Sequence, residues 1–131
     1  MRSIEQVVRD YLRSLTTDPD QWRQLADENI VVELAYGPSV GSPGRTEGRE
    51  KILAGVKLLL EQLRGLRLSV VEVHPAKDPD VAFAFYQGEA TAATGKPYRQ
   101  DYIGYFRCRN NKVVLHREYF DTARLIQALT P

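Results

Sequence analysis

A chain of 131 residues with 43% hydrophobic side chains can close one core, and 18 basic against 17 acidic residues, with no block of either sign, exclude a surface built for nucleic acid or an anionic membrane. One cysteine excludes an internal disulfide and a multi-cysteine metal cluster. No stretch is apolar for long enough to span a bilayer or to serve as a signal peptide, so a single cytoplasmic domain over residues 1–131 is expected.

Ser3, with Gln6 three residues on, fits a capping box. Ile4, Val7, Val8, Tyr11, Leu12 and Leu15 then recur at helical spacing, which predicts a helix to about Leu15. Thr17-Asp18-Pro19-Asp20 stops it and opens a short second helix with Trp22, Leu25 and Ala26 inward. Ile30 to Tyr36 is rich in β-formers and predicts a strand. Residues 37–48 are crowded with glycine and proline, which predicts an irregular loop long enough to act as a lid or rim.

Arg49 to Leu63 carries a broad apolar stripe and predicts the third helix, with Gly65 to end it. Leu66–His74 and Val81–Thr91 alternate as strands. In the second, Val81, Phe83 and Phe85 share one face, and Ala82, Ala84 and Tyr86 share the other. Tyr98 to Asp121 predicts a hairpin folded at Asn110-Asn111, because asparagine tolerates the positive φ of a tight turn. A short helix through Ala123, Leu125, Ile126 and Leu129 ends the chain.

Pairing outward from that turn sets Cys108 against Val113, Phe106 against Leu115, Gly104 against Arg117 and Tyr102 against Tyr119. One face then carries Tyr98, Tyr102, Phe106, Cys108, Val113, Leu115 and Tyr119. The other carries Arg99, Asp101, Ile103, Tyr105, Val114, His116, Glu118 and Phe120. On this register Asp101 and Glu118 are diagonal neighbours, roughly 7 Å apart at the backbone. Helices first and a strand meander after them give the α+β class: a curved antiparallel sheet packed by the N-terminal helices into a cone with an internal cavity. The mixed face is expected to line the cavity. The apolar face, with Tyr102, Phe106, Leu115 and Tyr119, is expected to form a homodimer through the convex side of the sheet.

The segments VVRDYLRSL, IVVELAYGP, the GRE at Gly48 and above all YRQDYIGYFRCRNNKVVLHREYFD resemble the SnoaL-like (polyketide cyclase) branch of the nuclear transport factor 2-like superfamily. The resemblance covers nearly the whole chain and implies a cystatin-like α+β barrel. It also implies cofactor-independent chemistry on a small hydrophobic molecule: cyclisation, isomerisation or epoxide opening. Similarity to the limonene-epoxide hydrolases implies Asp101, Arg99 and Glu118 as the acid/base set and Tyr36 as a water-holding tyrosine. Similarity to the ketosteroid isomerases places Tyr11 on an oxyanion-binding tyrosine, and similarity to the phenazine-biosynthesis proteins makes Glu118 the acid/base group. A non-catalytic ligand-binding or assembly module of the same fold is the alternative reading.

The residue types fit such chemistry. Two carboxyls close together in an apolar cone cannot both ionise cheaply, so one serves as acid and the other as base, with Arg99 balancing charge. The same Arg99–Asp101–Glu118 group reads equally as an ion-pair cluster that holds the strands. His116 is a proton carrier or a satisfied sheet histidine. Tyr11, Tyr36 and Tyr105 read either as hydroxyls turned into the cavity or as core aromatics whose tips find a partner, and Trp22 reads as a wall. The sequence supplies no metal-ligand set, no phosphate-binding glycine loop and no nucleophile motif, so no cofactor or metal is expected.

Overall fold

In the computed structural model, which describes residues 2–131, the expected capping box is formed. The Ser3 hydroxyl accepts the Gln6 N–H at 3.2 Å and the Gln6 side chain accepts the Ser3 N–H at 3.0 Å. The first helix, α1, runs over Ile4–Leu15. Asp18 caps α2 at Pro19–Leu25 by accepting the Gln21 N–H. Then come β1 (Ala26–Leu34), a 3-10 turn (Gly37–Val40), β2 (Arg45–Glu47), α3 (Arg49–Gln62), β3 (Leu63–Pro75), β4 (Val81–Ala92), β5 (Pro97–Arg109), β6 (Lys112–Phe120) and α4 (Thr122–Leu129).

The expectation of an irregular segment at 37–48 is corrected. Arg45–Glu47 pairs antiparallel with Val31–Glu33, and a 3-10 turn precedes it. Gly65, at φ 69°, lies inside β3 and does not end the helix.

The six strands form one curved, unclosed sheet in the order β2-β1-β6-β5-β4-β3. All pairs are antiparallel except β1–β6, which is parallel. A parallel pair needs a long crossover, and here nearly the whole chain between β1 and β6 supplies it. Val7, Val8, Tyr11 and Leu12 of α1 and Trp22 and Leu25 of α2 are fully buried against the inner face of the sheet, among Ala82, Ala84, Tyr86 and Phe106. The small side chains at 82 and 84 leave room there for helices and rings.

The hairpin turns where expected: Asn110 and Asn111 have φ of 53° and 61°, the two positive values of a type I′ turn. Its register does not follow the simple pairing. Cys108 is opposite Val113, but Arg107 is opposite Leu115, so Val114 is an extra residue on β6. This bulge shifts every later position by one, and a shift of one exchanges the faces of a strand. Phe106 therefore faces His116, Gly104 faces Glu118 and Tyr102 faces Phe120. Tyr98, Tyr102, Phe106 and Cys108, expected on the convex face, are buried inside. Arg99, Asp101, Ile103 and Tyr105, expected inside, are outside. Leu115 and Tyr119 stay outside, as expected, while His116 and Glu118 stay inside.

Candidate active site

Three strands and one helix bring a chain of polar groups together beneath α1. Tyr11 of α1 places its hydroxyl 3.0 Å from His116 Nδ1 on β6. His116 Nε2 lies 2.9 Å from the Tyr86 hydroxyl of β4. Tyr86 donates in turn to Glu118 Oε1 at 2.5 Å. Beside this chain, the hydroxyls of Tyr98 and Tyr102 on β5 are bonded to each other at 2.9 Å. The rings are tightly ordered: Tyr86 stacks on Tyr102 with centroids 5.0 Å apart, and His116 stacks on Phe106 at 4.5 Å. Tyr11, Trp22, Tyr86 and His116 are essentially inaccessible, whereas the Glu118 side chain is 14% exposed.

Burial sets the charges. It pushes the Glu118 carboxyl up to about 7, against the Tyr86 hydrogen bond, which favours the charged form. It pushes the His116 imidazole down to about 3, so this histidine is neutral at physiological pH. Burial also raises Tyr86 and Tyr102, and the Glu118 charge raises both further. No arginine or lysine is among the buried residues of the core. Val32, Leu53, Val56, Leu68, Val70 and Phe120 pack against this core and are only partly covered.

Of the residues singled out from sequence, Glu118, His116, Tyr11 and Trp22 are brought together inside. The other four are not. Asp101 points outward, where it pairs with Arg124 at 2.8 Å and accepts from Gln87 at 3.1 Å. Arg99 is 79% exposed beside Glu89. Tyr105 lies on the outer face against Phe83 and under the Arg117 guanidinium. Tyr36 is half exposed and packs on Tyr119. The physical reason for Arg99, Asp101 and Tyr105 is the Val114 bulge. For Tyr36 it is the corner after β1, which carries the chain around the sheet edge.

Three members of the inner site were missed. Tyr86 carried a signal, since it shares its strand face with Ala82 and Ala84, the small residues a helix packs on. Tyr98 and Tyr102 were read onto the wrong face. Among the described residues, no group of three or more His, Cys, Asp or Glu is placed to hold a metal ion, and no helix is long and apolar enough to cross a membrane. A hollow of about 620 Å³ is lined by outer-face residues, among them Tyr36, Val71, Phe85, Ile103 and Tyr119, and also by Tyr86, Tyr102 and Phe120.

The chain has counterparts among known proteins. Residues 8–116 match the SnoaL-like domain. The chain is 33% identical over 108 residues to the uncharacterized protein YesE of Bacillus subtilis, covering 82% of this chain and 73% of that one. It is 34% identical over 113 residues to the uncharacterized PhzA/B-like protein PA3332 of Pseudomonas aeruginosa, covering 86% and 79%. An NTF2-like protein of unknown function from Burkholderia pseudomallei superposes over the full length of both chains with a TM-score of 0.85 at 20% identity. An LEH-like epoxide hydrolase of Mycobacterium tuberculosis superposes with a TM-score of 0.73 at 17% identity, covering 95% of this chain and 87% of that one. At those identities the two structures attest the fold alone.

Proposed function

The chain belongs to the SnoaL-like domain family, and from that premise we propose that it is an enzyme that moves protons on a small, uncharged, hydrophobic molecule, with Glu118 as the acid/base group. The observation that carries this reading is the Glu118 carboxyl itself. A carboxyl with a pKa of about 7 can take a proton and give it back near neutrality, which is the condition for efficient acid/base catalysis. The Tyr98–Tyr102 pair uses one hydroxyl hydrogen on itself and keeps the other to donate.

The substrate class this suits carries an acidic C–H beside a carbonyl. The C–H bond breaks and its proton passes to Glu118. The electron pair moves onto the carbonyl oxygen, which receives the tyrosine hydrogen bond. Glu118–H then returns the proton to a different carbon, or the carbanion attacks a second carbonyl, closing a ring, and Glu118–H protonates the alkoxide so formed. Isomerisation and cyclisation are thus one chemistry at this site; in epoxide opening Glu118–H protonates the ring oxygen as its C–O bond breaks, and a solvent water bonds to that carbon and returns a proton to Glu118.

The test is hydrogen–deuterium exchange in D2O on a panel of apolar ketones and enones, followed by NMR. Wild type should catalyse exchange on at least one class and Glu118→Gln should not. A Glu118→Gln protein that exchanges as fast as wild type would sink the reading.

A partner reading rests on a different observation. Tyr36, Val71, Phe83, Phe85, Ile103 and Tyr119 are all between 36% and 55% exposed on the outer face or its edge. We propose that a second copy covers them. The face offers a hollow over Ile103 and Phe85 and, beside it, the packed Phe83–Tyr105 ridge. A two-fold axis seats the ridge of one copy in the hollow of the other, the self-complementarity an isologous dimer needs.

A further inference from the structure

The polar chain in the core runs in one direction. At its start, the Trp22 indole N–H is buried without a hydrogen-bond partner. It lies close enough to the Tyr11 hydroxyl to oppose part of the rise that burial causes there, but outside hydrogen-bond geometry. An indole donates and never accepts, so Tyr11 has no acceptor in Trp22. At its end, an ionised Glu118 only accepts, so Tyr86 gives its hydrogen to Oε1. Tyr86 then has only lone pairs to offer His116, and the proton of the neutral imidazole sits on Nε2. Nδ1 is left as an acceptor and takes the Tyr11 hydrogen. Each bond fixes the next.

We propose that His116 is a positioning residue for the chemistry at Glu118: held as the Nε2–H tautomer between two tyrosine hydroxyls, it aims the Tyr86 hydrogen at Oε1 and leaves Oε2 to exchange a proton with substrate. This rests on the reading of Glu118 given above. Packing alone does not call for a histidine here, because a phenylalanine would stack on Phe106 as well and would bury no nitrogen. The groups that face the imidazole are Tyr11 from α1, Tyr86 from β4, Phe106 from β5 and Glu118 from β6. Val32 of β1 is its strand neighbour. Of these only Glu118 ionises near neutral pH, so no other charge competes for the imidazole proton. Donation from Nε2 into the Tyr86 oxygen also polarises the Tyr86 hydroxyl and strengthens its grip on Oε1.

Nitrogen-15 spectra of the histidine ring and a carbon-13 titration of the Glu118 carboxyl test this on the free protein, without substrate. In wild type the ring should show protonated Nε2 and bare Nδ1 at pH 8, where Glu118 is ionised, and should stay neutral down to pH 5, where a free imidazole would be charged. Tyr86→Phe should raise the Glu118 midpoint by about one pH unit, since it removes a bond to the charged form. His116→Phe should raise it too, and the double substitution should raise it no further than Tyr86→Phe alone. A proton found on Nδ1 in wild type overturns the proposal whether or not any variant folds. So does a His116→Phe protein whose midpoint is unmoved, or a pair of shifts that simply add. A protein that meets every expectation but exchanges no substrate hydrogen would overturn the proposed function and leave this inference standing.

Discussion

Gly104 stands directly across the β5–β6 ladder from Glu118, and the space its missing side chain leaves is filled by aromatic rings. A Cβ there would lie 2.5 Å from Phe106 Cε2 and 3.0 Å from Tyr86 Cε1. The ring that holds the carboxyl thus depends on a glycine with ordinary strand geometry, chosen for contact and not for φ. Gly104→Ala should cost about 1–3 kcal/mol by overpacking and displace the Tyr86 hydroxyl. Denaturant unfolding measures the first effect, and a shifted Glu118 titration reports the second. Unchanged values for both would mean that the rings relax freely.

The two carboxyls once read as a pair should part company on substitution. Glu118→Gln should lower turnover by about 10²–10⁴-fold, the usual contribution of a positioned acid/base group, while the amide oxygen still accepts from Tyr86. Asp101→Asn removes an exposed pairing with Arg124, worth about 0.2–1 kcal/mol at most. It should leave turnover within about twofold, since nothing it touches reaches the site. Steady-state rates on any substrate found in the exchange screen decide between them, and an inactive Asp101→Asn protein would return Asp101 to the chemistry.

The pH dependence of stability should carry the mark of a proton exchange between two buried groups. Folding raises Glu118 from its ordinary value of 4.5 to about 7 and lowers His116 from 6.5 to about 3. Between roughly pH 4.5 and 6.5 the folded protein holds its proton on Glu118, whereas the unfolded chain holds it on His116. Both states bind one, so stability from this pair is flat there. As the pH falls below about 4.5 the unfolded chain takes up a second proton and the fold loses stability. Between about 6.5 and 7 the folded carboxyl still holds a proton that the unfolded chain has released, so stability declines as pH rises. His116→Phe removes one partner and should unmask the other. Its stability should climb steadily as the pH is lowered from 7 to about 4.5. Thermal unfolding across that range checks the slope, and a flat profile for His116→Phe would contradict it.

The outer face yields a separate prediction. Ile103→Lys, in the lining of the hollow, should convert a dimer to monomer at micromolar concentration. Sedimentation velocity checks this. A wild-type protein that sediments as a monomer would remove the premise.

Much of the fold was legible in the residues because each signal was local. Ser3 and Gln6 marked the first helix, Asn110-Asn111 marked the turn, and Ala82, Ala84 and Tyr86 were rightly put on one face. What stayed hidden was non-local. Val114 resembles its β-branched neighbour Val113, and nothing in its side chain announces that it has no partner across the ladder. That one unpaired residue decided whether Asp101 or Tyr102 shares a face with Glu118. The parallel pairing of β1 with β6 was equally silent, since a strand edge is chosen by the whole assembled sheet. Within the site, Glu118 and His116 could be picked out as residue types. Their bonding to Tyr86 required the register.

The bulge also makes the length of this strand a hereditary matter. Most single-codon losses in a strand near a turn shorten a loop or slide an edge. Losing Val114 would instead remove the bulge and leave every pair in place, with His116 still opposite Phe106 and Glu118 still opposite Gly104. Such a deletant should keep the dispersed amide spectrum of the folded protein. A loss beyond the bulge, such as that of Arg117, would shift Glu118 by one place and turn it to the outer face.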